Sequence, residues 1–272
     1  MALRLDGVVP GSVALVGVPL DFNSSFLRGP ALAPARIREA LFSGSSNAFA
    51  EDGTEVLNGR LLDAGDVAVP VAATAFDAVE KGVAEVLERG ARALCLGGDH
   101  SVTFPIVRAH AAHHPGLEIL HFDAHPDLYD QLDGNPFSHA SPFARIMESR
   151  LASRLVQVGI RTLNPHQREQ ARRFGVEIVE MRDFSSELRF EFAGPVYVTI
   201  DLDALDPAFA PGVSHHEAGG LSVREILRVL ERSPGRVVGA DVVELNPLRD
   251  LAGVTAAVAA KLVKELAARM LR

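Results

Sequence analysis

Eight short apolar runs recur along the chain, at residues 13–20, 60–66, 91–97, 117–123, 155–160, 176–180, 196–201 and 237–244. Most are apolar on consecutive rather than alternate positions, the pattern of strands covered on both faces. Amphipathic segments with helical spacing separate them, at 33–42, 76–88, 105–114, 142–151, 165–174, 222–232 and 255–271. Ser222 with Glu225 three residues on gives the sixth a capping-box start. The βαβα rhythm predicts an α/β fold, a parallel β-sheet sandwiched by helices in three layers. No repeat, low-complexity tract or linker interrupts it, so residues 1–272 are expected to form a single domain.

Composition removes several function classes. Hydrophobic residues make up 47% and charged residues 23%, which excludes a disordered chain. No apolar run is long enough to span a bilayer. The start, MALRLDGVVPGS, lacks the apolar core of a secretory signal and is poor in Arg and Ser, so a cytoplasmic location is expected. Cys95 is the single cysteine, which excludes an internal disulfide and a cysteine-built zinc site. A net charge of -8 with no basic cluster makes a poor nucleic-acid binder and a better host for cations.

The chemistry gathers at the carboxyl ends of four runs, where open α/β sheets bind ligands. They end in Gly98-Asp99-His100-Ser101, in Asp123-Ala124-His125-Pro126-Asp127, in Asp201-Leu202-Asp203 and in Asp241-Val242-Val243-Glu244. So many carboxylates at one edge repel one another unless compensated. No lysine or arginine interleaves them, which points to a multivalent cation. Oxygen-rich ligation with some imidazole and no thiolate suits manganese better than zinc, with nickel and iron as alternatives. Six strong ligands exceed what one ion needs when water also binds, so two ions sharing carboxylates is the better count.

GGDHS, FDAHPD, TIDLDALDPAFAPG and DVVELNP, in this order, resemble the motifs of the ureohydrolases, the arginases, agmatinases and their relatives. The likeness extends over nearly the whole chain and is greatest to plant-type arginases. It implies the arginase-like fold, two Mn2+ per subunit, a small guanidino substrate and a homo-oligomer, hexameric or trimeric. Residue by residue it implies His100, Asp123, Asp127 and Asp201 around one ion and His125, Asp123, Asp201 and Asp203 around the other. It also implies Glu244 as the partner of the guanidinium and His139 as the mobile proton carrier, with Asp127 beside them in the catalytic set. The implied reaction is hydrolysis of L-arginine to urea and ornithine. Agmatine, guanidinobutyrate and formiminoglutamate are alternative substrates, and a metal-binding regulatory subunit is the non-enzymatic alternative. A binuclear phosphoesterase would want arginine or lysine near the metals, and these motifs offer only Arg161.

At the substrate's far end, Asn135, Ser138 and Asn164 are the expected polar contacts, with His215 or His216 reaching the mouth. GNPFSH and RTLNP depart there from animal-type arginases, as plant-type arginases do. Asp130 and Asp133 are near enough in sequence to suit an agmatine ammonium. His110, His113 and His114 are expected in solvent, and His121 and Cys95 in the core.

Overall fold

The structure, a computed structural model, describes residues 2–70, 74–233 and 235–272. Met1, where the amino-terminal stretch read above begins, lies outside them. Eight strands appear where eight were expected: β1 Val13–Gly17, β2 Leu61–Asp66, β3 Arg92–Leu96, β4 Glu118–Phe122, β5 Arg154–Ile160, β6 Glu177–Glu180, β7 Pro195–Asp201 and β8 Arg236–Val243. They form one sheet, ordered β2-β1-β3-β8-β7-β4-β5-β6, with every pairing parallel. The helices are α1 Ala33–Leu41, α2 Ala75–Glu88, α3 Thr103–His113, α4 Pro142–Glu148, α5 Pro165–Phe174, α6 Val223–Arg232 and α7 Val254–Met270.

Alternation along each strand feeds two separate cores. Leu94 and Leu96 of β3 pack in the layer of Ile37 from α1, Leu230 from α6 and Leu262 from α7. Ala93 and Cys95 face the opposite layer, with Val83 from α2, Ile106 from α3 and Phe143 from α4. Both faces are covered, which accounts for the unbroken apolar runs. Burial pushes the Cys95 thiol well up, as suits an inert core residue.

Two expectations need correction. The first run stops being a strand at Gly17, because Leu20 N–H turns back to the Val18 carbonyl at 2.9 Å. His110 is not in solvent but fully buried. Its Nδ1 lies 2.9 Å from the Ile106 carbonyl and its ring meets Tyr197 edge-on at 4.9 Å. Gly239 of β8 makes the room, since a Cβ there would sit 2.1 Å from His110 Nε2. Burial accordingly lowers the His110 pKa to about 4.

The sheet order decides where the chemistry falls. The four motif-bearing strands, far apart in sequence, are consecutive neighbours: β3, β8, β7, β4. Phe122 pairs with Ile200, so Asp123 and Asp201 emerge level with each other. Asp201 pairs with Val243, so Glu244 stands one step beyond. Glu244 N–H then donates to the Gly98 carbonyl at 2.9 Å, bringing the GGDH turn alongside. Gly98 must be glycine, because a Cβ there would sit 1.7 Å from the Leu20 carbonyl oxygen.

Candidate metal centre and substrate cleft

His100 opens a short 3-10 turn after β3, and its fully buried imidazole points at the ends of β4 and β7. Its Nδ1 lies 3.1 Å from Asp123 Oδ2, 3.1 Å from Asp127 Oδ2 and 3.2 Å from Asp201 Oδ2. None of the three contacts has hydrogen-bond geometry, so a buried nitrogen faces three carboxylates without a bonded partner. On its far side, Nε2 lies 3.1 Å from Thr199 Oγ1. A second focus lies beside it, with His125 Nδ1 3.1 Å from Asp203 Oδ2 and 3.4 Å from Asp123 Oδ1. The ligand atoms of Asp123, His125 and Asp203 all lie within 4.8 Å of one another, as do those of His100, His121 and Asp123.

Backbone N–H groups hold these acids in place. His125 N–H donates to Asp123 Oδ1 at 2.6 Å, Asp203 N–H to Asp201 Oδ1 at 2.8 Å and Ala124 N–H to Asp203 Oδ1 at 3.2 Å. Asp127 adopts a positive φ of 49°, which turns its carboxylate back toward His100. Arg161 brings no relief of charge here, because its guanidinium is spent on backbone carbonyls that include those of Asp203 and Glu217. Among protein groups the imidazoles therefore carry the compensation. Burial opposes a charge on His100, but Asp123, Asp127 and Asp201 outweigh it and raise its pKa well above the ordinary range. Burial and then Asp203 and Asp123 push Asp201 up, while burial and Asp123 hold Asp203 at about 6 against the pull of His125.

The next layer is a pair. His139 Nδ1 lies 2.8 Å from Glu244 Oε1, which also accepts from His100 N–H at 2.9 Å. His139 Nε2 faces the Ser25 hydroxyl at 2.8 Å. Burial works against a charged His139, but the Glu244 carboxylate prevails and lifts its pKa to about 9. Glu244 Oε2 is buried and has no hydrogen-bond partner.

These groups border a cleft of about 170 Å³, open at its mouth. Its walls include His125, Asp127, Asp201, Asp203, His139 and Glu244, together with Ser25, Tyr129, Leu132, Gln167 and His215. A larger cleft of about 300 Å³, bordered by Arg224, Glu231 and Arg272, holds none of this imidazole–carboxylate set.

The three expected far-end contacts lie outside the lining. Asn135 turns away, its Nδ2 donating to Asn23 Oδ1 at 3.0 Å and its Oδ1 accepting from Phe137 N–H at 2.9 Å. Ser138 Oγ accepts from Ala140 N–H at 3.3 Å. Asn164 caps α5, its Oδ1 accepting from Gln167 N–H at 2.9 Å while its Nδ2 donates to Tyr129 Oη at 2.5 Å. Asp130 is paired with His166 at 3.1 Å. His215 reaches the cleft, its ring centroid 5.0 Å from that of His139, whereas His216 is exposed and faces the Pro211 carbonyl. The unforeseen residues Ser25, Tyr129 and Gln167 come from three separate segments. A signal was available for Tyr129, two residues past Asp127 on the same segment.

Comparison with known proteins gives a consistent picture. The model of the arginase family matches residues 11–268. "Arginase 1, mitochondrial" of Arabidopsis thaliana is 51% identical over 98% of this chain and 84% of its own length. The agmatinase of Bacillus anthracis is 36% identical over 93% of this chain and 90% of its own. The solved arginase of Medicago truncatula superimposes with a TM-score of 0.91 at 48% identity, covering 98% of this chain and 89% of that one. These names overturn the cytoplasmic expectation, since arginases about half identical to this chain are named for mitochondria or chloroplasts. That expectation rested on the composition of a dozen residues, which does not determine a compartment.

Proposed function

The chain belongs to the arginase family of hydrolases, and from that premise we propose that it cleaves L-arginine to urea and ornithine at a pair of manganese ions. The observation that carries the reading is the buried, unpartnered Oε2 of Glu244 at the wall of the cleft. A planar cation with several N–H donors is what such an oxygen lacks.

The donor set fits a metal pair. His100 Nδ1 is a buried nitrogen facing three carboxylate oxygens within 3.2 Å, and the partly exposed His125 Nδ1 faces Asp203 at 3.1 Å and Asp123 at 3.4 Å. His100, Asp123, Asp127 and Asp201 would hold one ion, and His125, Asp123, Asp201 and Asp203 the other. Carboxylates and imidazoles without thiolate favour manganese. When bound, such a pair supplies water acidic enough to ionise near neutrality and offsets negative charge developing on the attacked group. Glu244 orients the guanidinium across the carboxylate floor. His139, held by Glu244 and Ser25, carries a proton between the cleft and the departing amine.

Arginine is favoured over agmatine by the far end of the cleft. Asn164 donates to the Tyr129 phenol, which leaves the phenol's own proton free to donate. Gln167 adds a neutral polar group to the same wall, and Ser25 and His215 line the cleft beside His139. Beyond the ligands and Glu244, no carboxylate among the described residues lines this cleft to receive an agmatine ammonium. An α-carboxylate instead finds donors. The test is kcat/KM for urea release from both substrates on manganese-loaded protein, with chelated protein as control. Arginine should exceed agmatine by at least tenfold, and Gln167→Leu should narrow the gap. Agmatine preferred by tenfold would reverse the assignment.

Self-association into a trimer or hexamer belongs to the same proposal. The amino end of α7 and the turn before it leave Leu248 and Leu251 each 70% exposed and Val254 47% exposed. The remainder of α7, including Leu262, Leu266 and Met270, is core. Sedimentation at micromolar concentration should show an oligomer, and a monomer there would remove the claim.

A further inference from the structure

His121 has both ring nitrogens engaged, and the pattern of their partners assigns it a task. His121 and Asp123 are two apart at the end of β4 and so share a face. His121 Nε2 lies 2.8 Å from Asp123 Oδ2. Its Nδ1 lies 3.0 Å from Nε2 of Gln157, its partner across the β4–β5 pairing. The same Gln157 nitrogen lies 2.7 Å from the Pro126 carbonyl oxygen. All three side chains are fully buried.

These contacts fix the protons. A carbonyl oxygen only accepts, so the Gln157 group facing Pro126 has to be the amide nitrogen. A flipped amide would press two oxygens together with no proton between them. The second amide hydrogen then points at His121 Nδ1, which has to be a bare acceptor. The one remaining ring proton sits on Nε2 and is donated to Asp123. Phe143 stacks on the ring at 4.0 Å between centroids, and His100 meets its edge at 5.0 Å, so the ring plane is held as well. Gln157 Oε1 is buried without a partner. A leucine would fill that place without an orphaned oxygen, so the amide is retained for its donors rather than for packing.

We propose that His121, locked as the Nε2–H tautomer by Gln157, is a positioning residue for the Asp123 carboxylate rather than a metal ligand. A ring nitrogen of His121 lies within 4.8 Å of candidate ligand atoms of both His100 and Asp123, yet with Nε2 protonated and Nδ1 taken by Gln157 the ring has no lone pair for a cation. With His121 N–H on Oδ2 and His125 N–H on Oδ1, Asp123 has one donor on each oxygen and a fixed plane. The remaining lone pairs face the His100 and His125 sides together. The inference rests on Asp123 being a shared metal ligand.

The test titrates manganese into wild type, His121→Phe, His121→Gln and Gln157→Leu, reading free Mn2+ by its EPR signal, with KM for arginine measured at saturating manganese. Phenylalanine keeps the stack on Phe143 and removes the donor. Glutamine places an amide N–H near the position of the imidazole Nε2. Gln157→Leu leaves the imidazole but frees its tautomer. His121→Phe should weaken manganese affinity about 10–100-fold while still binding two ions, with KM for arginine unchanged. Glutamine should recover most of that affinity, and Gln157→Leu should fall between wild type and His121→Phe. Unchanged affinity in His121→Phe, or a glutamine variant as weak as the phenylalanine one, overturns the proposal. A stoichiometry reduced to one ion in His121→Phe would make His121 a ligand and overturns it too. Should wild type itself fail to bind two ions, the metal reading falls, an outcome distinct from any difference among variants.

Discussion

At the scale of single residues, Glu244 shows how much of the site depends on one backbone choice. Its φ is 64°, in the left-handed region where a residue with a Cβ costs of order 1–3 kcal/mol. The turn brings Oε1 between His100 N–H and His139 Nδ1 and leaves Oε2 buried without a partner at the cleft wall. Glu244→Gln keeps the shape and can still accept from His100 N–H, but removes the charge. Hydrogen bonds to charged groups are worth about 1.5–3 kcal/mol, so kcat/KM for arginine should fall roughly 10–150-fold. The melting temperature should fall as well, because the carboxylate that holds the buried His139 charged is lost. A variant with wild-type kcat/KM would show that Glu244 does not bind the guanidinium. The candidate ligands and Glu244 were legible because each sits in a short motif at or just past a strand end, whereas His139, in the loop between β4 and α4, was legible only through the family resemblance. The family resemblance makes Asn135 the polar anchor that survives in GNPFSH, yet the turn before His139 aims its amide at Asn23. Ser25 and Gln167 carried no local signal, since only the folded chain brings them beside His139 and Tyr129.

At the scale of elements, the spacing of apolar positions located each β-strand and α-helix among the described residues, and boundary shifts have local causes. Helix α3 begins at Thr103, earlier than the 105–114 reading, because the 3-10 turn from His100 runs straight into it and Pro105 falls in a first turn that has no use for its N–H. The capping box at α6 was readable as a pattern and is present in full, with Ser222 Oγ accepting from Glu225 N–H. Ser222→Ala should therefore cost about 1 kcal/mol and lower the melting temperature by about 2–4 °C, with urea release unchanged. No change in a thermal melt would mean that the cap is redundant. The tie between α6 and α7 was not readable, because it passes through a loop. Arg224 of α6 and Lys261 of α7 both pair with Glu51 and hold its carboxyl at about 2, below its ordinary 4.5. Stability from a depressed carboxyl is full above pH 4.5 and is lost as pH falls through 2. Glu51 is largely exposed, so Glu51→Gln should cost less than about 1 kcal/mol at pH 6 in urea melts. The difference from wild type should shrink as pH drops below 4.5, and a constant difference would assign it to something other than charge.

At the scale of the molecule, strand order was the illegible part. Periodicity identifies strands, but nothing local says that β8 and β7 insert between β3 and β4. That order brings carboxylates from distant parts of the sequence within 3.2 Å of one buried nitrogen. Such an arrangement sets stability against function, because buried like charges repel unless a cation joins them. Manganese binding to the folded chain alone should then stabilise it by about 1.4 kcal/mol per site for each tenfold rise in free metal above the dissociation constant. Two sites give about 2.7 kcal/mol, or roughly 5–10 °C in melting temperature per decade. Asp201→Asn separates the two effects. It removes one buried carboxylate facing His100 and weakens both proposed ion sites, so the variant should respond little to manganese. In chelator it also relieves repulsion, so it should melt above chelated wild type. The two curves of melting temperature against manganese should cross, with the variant more stable at the low end and wild type at the high end. An Asp201→Asn protein less stable than wild type at both ends would mean that the carboxylate supports the fold itself rather than a metal pair.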